Sequence, residues 1–232
     1  MAQNNGPKIS NDNLIINLDA ANIASYPGTG TVWYNLGTIG GSVSQGGTYM
    51  PTFTTLANVT CFNFTQVGSY FINNSIFSTT RPTNKTTITI DVWIYPAASE
   101  ISSGDRGNIC RANNGNAWYM SWNKSSQTMS NYFYGKIPEG YHESGAAVTR
   151  STWNNFVAAW DGHQLRQFTN NTKTTATTVG SQANQTSGLQ IGWEADSRQF
   201  AGGIASIKIW DAALSDDEIN RNYALQKGRF GR

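Results

Sequence analysis

Hydrophobic and polar residues alternate along much of this chain, with the period of a β-strand. Ile88, Ile90, Val92 and Ile94 interleave with Thr87, Thr89, Asp91 and Trp93, giving one apolar and one mixed face. Pro96 removes a ladder donor and closes that strand. Leu14–Asp19 reads as the first strand, after a polar arm over residues 1–13. Trp118, Met120 and Trp122 share one face of another strand, with Tyr119 and Ser121 opposite. Tyr132 and Tyr134 alternate with Phe133 in its hairpin partner. Phe156, Ala158 and Trp160 alternate up to the tight-turn dipeptide Asp161-Gly162, and residues 165–169 return from it. Residues 189–193 and 205–210 complete the strands.

Gly- and Asn-rich connections over residues 28–30, 37–47, 102–115, 169–187 and 201–203 punctuate these runs. Short strands at this spacing predict an all-β, two-sheet antiparallel sandwich of jelly-roll type. One short helix is predicted near the C-terminus. Ser215 and Glu218 form a capping box, and Asp216 and Asp217 suit the positive end of the helix dipole. Capping accounts for this acidic group without a metal or a catalytic role.

Composition narrows the function. With 232 residues the chain has room for one sizeable core. Charged residues are 13% of it and the net charge is +2, with no basic stripe, so no nucleic-acid partner is expected. Aromatics at 12% argue against disorder. No apolar stretch approaches a membrane span, and the first residues lack the pattern of a secretory signal, so synthesis in a cytoplasm is expected. Cys61 and Cys110 match no metal spacing and read as free buried thiols, with a disulfide left open.

The chain is not expected to be an enzyme. Glycoside hydrolysis needs paired carboxylates, and there is no Glu-x-Asp-x-Glu stretch. Asp91 stands alone in its strand, Glu139 and Glu143 flank a bend, and Glu194 and Asp196 lie beside a turn. His142 and His163 have no nucleophile elbow to serve. Asp105, Asn108, Asn113, Asn114 and Asn116 supply one carboxylate between them, which reads as a turn-rich connection, not a calcium loop. No metal and no cofactor are expected. Trp118, Tyr119, Trp122, Tyr132, Tyr134 and Trp193 are the candidates for an aromatic platform that stacks on sugars. Half of them must fill the core whichever way the sheet faces, and the sequence leaves open which half.

The segments Leu14–Asn22, Ser25–Trp33, Pro51–Phe53, Cys61–Phe64, Thr87–Pro96, Trp153–Gly162, Gly202–Trp210 and Ala213–Tyr223 follow one another in the order of a known family. They resemble laminin-G-like domains of the concanavalin A-like lectin/glucanase superfamily. The leading Gly6-Pro7-Lys8-Ile9 and the trailing Lys227–Gly231 resemble the variant found in tailed-bacteriophage virion proteins. Acidic residues that relatives often carry around Phe62–Tyr70 are absent, which counts against an inherited calcium site. The resemblance implies a sandwich over residues 14–226, between the arm and a tail over 227–232, with the first strand pairing near the last. It also implies a non-enzymatic virion role, as capsid decoration or a tail or fibre component. Expected partners are other virion proteins and further copies of the chain. The alternative is a carbohydrate-binding adhesin for host glycans.

Overall fold

Sixteen strands and one α-helix make up the computed structural model, which describes residues 9–77, 87–113, 118–133, 141–178, 188–192 and 196–232. In chain order the strands begin with β1 (Leu14–Asp19), β2 (Val32–Tyr34), β3 (Ser42–Gln45), β4 (Thr52–Leu56), β5 (Val59–Phe64) and β6 (Phe71–Asn73). The middle of the chain gives β7 (Ile88–Pro96), β8 (Arg106–Asn113), β9 (Trp118–Asn123), β10 (Thr128–Phe133) and β11 (Tyr141–Ala147). Then follow β12 (Asn154–Trp160), β13 (Gln164–Thr169), β14 (Thr172–Thr178), β15 (Gly188–Ile191), β16 (Gly202–Trp210) and the helix α1 (Asp216–Gln226).

They form two eight-stranded antiparallel sheets. The first runs β14-β13-β12-β7-β16-β5-β4, with β1 paired to the far half of β16. The second runs β11-β10-β9-β8-β15-β6-β3-β2. Strand alternation puts Ile88, Ile90, Val92 and Ile94 of the first sheet against Trp118, Met120 and Trp122 of the second, all fully buried. Phe62 and Phe71 pack edge-on in the same layer and Trp33 lies tilted against both, with ring centroids 4.7–5.6 Å apart.

Trp118 and Trp122 are therefore core residues, which corrects their candidacy as surface platform residues. Their strand has its larger apolar side chains on one face, and that face turns inward to meet β7 and its neighbours. Tyr134 and Trp193, the strand end at residue 193, and Glu139, Glu194, Asn114 and Asn116 lie outside the described residues.

Three connections expected from the sequence contain strands. Residues 102–115 hold β8, 37–47 hold β3, and 169–187 hold β14. In β8 the register slips between Asn108 and Cys110, so Ile109 and Cys110 both face the core. This bulge breaks the period of two on which strand recognition depends.

The outer face of the first sheet is covered by α1 and the 3₁₀ turn Lys227–Phe230. The capping box is present, with the Ser215 hydroxyl accepting from the Glu218 amide and the Glu218 carboxylate accepting from the Ser215 amide. Phe230 lies flat on Trp93, with centroids 3.8 Å apart, so the segment read as a tail is packed against the sheet. Beneath the helix sits a buried polar group. Asn155 donates to Asp91 at 2.6 Å, and Lys208 donates to Ser206 at 2.7 Å and to Gln226 at 2.8 Å. Burial pushes Asp91 up and Lys208 down, and each charge partly offsets the other's shift.

Pairing of β1 with β16 brings the two ends of the described chain together. Trp210 donates its indole N–H to the Ser10 carbonyl at 2.6 Å, and the Ser10 amide donates to Asn222 at 3.0 Å. Cys61 and Cys110 are free and buried, as the spacing led us to expect.

Candidate functional site

Because side chains alternate, the core-facing tryptophans of β9 oblige Tyr119, Ser121 and Asn123 to face outward. Pairing then aligns neighbours. Tyr119 stands beside Tyr132 of β10 and Arg111 of β8, while Tyr132 stands beside Tyr141 of β11. Gln190 of β15 continues the row beyond Arg111. The outer face of the second sheet thus carries Tyr141, Tyr132, Tyr119, Arg111 and Gln190 across five strands.

Contacts along the row fix its shape. The rings of Tyr119 and Tyr132 meet edge-on at 6.0 Å, and those of Tyr132 and Tyr141 at 5.0 Å. Arg111 donates to Gln190 Oε1 at 2.8 Å and to the Tyr119 hydroxyl at 3.3 Å. At the other end the Arg106 guanidinium lies 3.7 Å over the Tyr141 ring. Arg198 donates to the Tyr141 hydroxyl at 3.5 Å. Tyr132, Tyr141 and the three arginines are half-buried, which leaves part of each at the surface, whereas Tyr119 is buried.

The carboxylates described on this face, Glu143 and Asp105, are structural anchors. Glu143 accepts from Arg106 at 3.0 Å, Asn123 at 3.0 Å and Thr128 at 2.6 Å. Asp105 pairs with the same guanidinium and with Arg198. Both carboxylates are therefore bound by Arg106, an arrangement unlike the opposed acids that cleave a glycosidic bond. His142, the alternate residue between Tyr141 and Glu143, faces the interior, where burial lowers its pKa. Asn108, weighed from the sequence as an oxygen donor in a loop, sits buried in β8 and accepts from Ser121.

Chemically, the face offers ring surfaces for stacking on sugar C–H groups, with hydroxyls and guanidinium donors around them. Of the six platform residues read from the sequence, Tyr119 and Tyr132 lie here. Tyr141, Arg106, Arg111 and Gln190 were not singled out, because only strand register brings them alongside. Among the described residues, no three of His, Cys, Asp and Glu come together, and no helix is long and apolar enough to cross a membrane.

The family profile described as the concanavalin A-like lectin/glucanases superfamily matches residues 69–220. No curated protein matches the chain by sequence. Among solved structures, the binding domain of botulinum neurotoxin serotype D superposes with a TM-score of 0.69 at 14% identity, over 93% of this chain and 51% of that one. The receptor binding domain of the C/D mosaic serotype gives 0.67 at 15%, over 93% and 52%. The serotype D ligand binding domain in complex with N-acetylneuraminic acid gives 0.62 at 13%, over 93% and 52%. The chain spans about half the length of these neighbours, and at such identity the likeness shows the fold alone.

Proposed function

The chain belongs to the concanavalin A-like lectin/glucanase superfamily, and from that premise we propose that it is a non-catalytic module that binds a glycan on the tyrosine–arginine face of its second sheet. The observation that carries this is the continuous row Tyr141, Tyr132, Tyr119 and Arg111, with Arg106 over one end. The anchoring of Glu143 and Asp105 on one guanidinium supports binding over turnover. The neurotoxin domain crystallised with N-acetylneuraminic acid makes sialylated sugars a rational first probe, since a guanidinium pairs well with a carboxylate.

A glycan array followed by calorimetry tests the reading. Tyr132→Ala and Arg111→Ala are each expected to weaken binding by roughly tenfold, the scale of one lost aromatic or arginine anchor. The melting temperature should fall by no more than about 4 °C. Absence of any bound glycan at high protein concentration, or affinities that ignore both substitutions, would overturn it.

A virion setting is the second reading, with other virion proteins as partners. Its support is that parts of both segments resembling phage proteins pack on the first sheet, on the side away from the tyrosine row. Ile9 joins the apolar cluster around Trp210, and Phe230 stacks on Trp93. On this reading the module would be held through the first sheet and would display the second. Mass spectrometry of purified particles that finds no copies would remove this reading.

A further inference from the structure

Between Asp19 and Arg81 the chain contains no Asp, Glu, Lys or Arg. The described part of this stretch forms β2 to β6 and their connections, at one end of both sheets. Four large apolar side chains are exposed there, Ile23 at 78%, Tyr34 and Tyr49 at 48% and Leu36 at 38%, and among the described residues only Leu225 is exposed elsewhere. Charge depletion with exposed aromatic and aliphatic side chains is the composition of an interface core.

The sheet edges show where a partner would join. The outer edge of β1 is covered, since Leu36 donates to the Asn17 carbonyl, Asn35 to that of Ile15 and Thr38 to that of Leu14. Ser25 closes β2, accepting from the Tyr34 amide and donating its hydroxyl to the Tyr34 carbonyl. The edges β11 and β14 lie against each other. On β4, by contrast, no described strand or side chain meets the outward backbone groups of Phe53 and Thr55. Its register with β5 runs without a bulge from Thr52 to Leu56, and the sequence Thr-Phe-Thr-Thr-Leu has none of the charges or prolines that normally guard an edge.

We infer that β4 pairs antiparallel with β4 of a second copy, across a two-fold axis at Thr54. The β4–β5 hairpin turns through Ala57 (φ 45°) and Asn58 (φ 66°), a two-residue turn whose closing pair is Leu56 and Val59. Hydrogen-bonded and non-bonded pairs alternate from there, so Thr52, Thr54 and Leu56 bond to β5 while Phe53 and Thr55 present N–H and C=O outward. An antiparallel partner centred on Thr54 places Phe53 opposite the partner's Thr55 and Thr55 opposite the partner's Phe53. Each pair exchanges two hydrogen bonds, and the two sheets continue through the axis.

Two-fold pairing brings a patch against its own copy, so charges near the axis would face like charges. The stretch itself brings no charge to the axis, and Arg229, whose charge reaches Cys61 opposite Thr54, is paired with Asp19 at 2.7 Å, which suits the patch to meeting itself. Beside the edge lies a shallow depression of about 240 Å³ lined by Ala20, Ile23, Tyr26, Pro27, Phe53 and Thr60, which adds apolar surface to the contact.

Sedimentation across a concentration series tests this. The chain is expected to dimerise, and Thr55→Lys, at an exposed position, should weaken the dimer by roughly tenfold or more, because the two ammonium groups fall within a Debye length of each other. Thr55→Pro removes the outward donor and should act likewise. Thr172→Lys, exposed on β14, should leave the dimer intact. Hydrogen exchange gives a readout without substitution, since the Phe53 and Thr55 amides should gain protection as concentration rises. A monomer at every concentration, a dimer that both Thr55 variants leave untouched, or unprotected amides in the dimer would each overturn the inference.

Discussion

Trp122 and Tyr119 sit three positions apart in β9 and face opposite ways, which gives them opposite expected responses to truncation. Trp122 is fully buried between the sheets, so Trp122→Ala should cost about 3–5 kcal/mol in urea unfolding. Tyr132, half-buried on the outer face beside Tyr119, should lose stability by no more than about 1 kcal/mol on truncation while losing ligand. The sequence shows that the faces differ, because alternation is local. It does not show which face is covered, because that depends on the sum of apolar surface over several strands. The thiols follow the same logic of burial, which pushes Cys61 up to about 12 and Cys110 up as well. Both should resist alkylation near pH 8 in the folded protein and react once it is denatured.

At the scale of elements, α1 was legible in the sequence and β8 was not. Capping uses neighbours four positions apart at most, so Ser215 and Glu218 announce the helix start by themselves. Ser215→Ala should cost about 1 kcal/mol. The amide of Ser215, with its hydroxyl and Arg221, holds Glu218 below the usual carboxylate range, outweighing burial. A depressed carboxylate stabilises above its unfolded pKa and loses that contribution as pH falls through its folded pKa. Helix docking should therefore weaken in acid, and Glu218→Gln should flatten that limb of the stability curve. What fastens the end of this element is long-range. Phe230 stacks on Trp93 and packs near Trp153, so Phe230→Ala should cost about 3 kcal/mol and change tryptophan fluorescence. The bulge in β8, the four-residue length of β3 with Val43 alone buried, and the edge position of β14 hide those strands, since a strand without clean alternation resembles a loop.

For the whole molecule, strand order separates two surfaces. β11 lies against β14 at one side, so the tyrosine row of β9 to β11 is far from β4, which ends the first sheet at the other side. The two proposed interactions should then be independent. Thr55→Lys should leave the glycan affinity of each copy unchanged, and Tyr132→Ala should leave dimerisation unchanged, as expected for distant sites. Calorimetry and sedimentation on both variants and their double combination measure this directly.

The order of alternating runs, their turn residues and the helix cap were enough to determine an all-β sandwich with a C-terminal helix, because each rests on neighbours in the chain. The same residues also determined that some aromatics on β9 and β10 would be core and others outward. Tertiary structure decided that Trp118 and Trp122 are the core pair, and that Tyr119 and Tyr132 join Tyr141, Arg106 and Arg111 in one row. It also decided which edges are covered and that, among the described residues, β4 is left open. The physical reason is that strand pairing fixes both register and edge, and pairing partners come from distant parts of the chain.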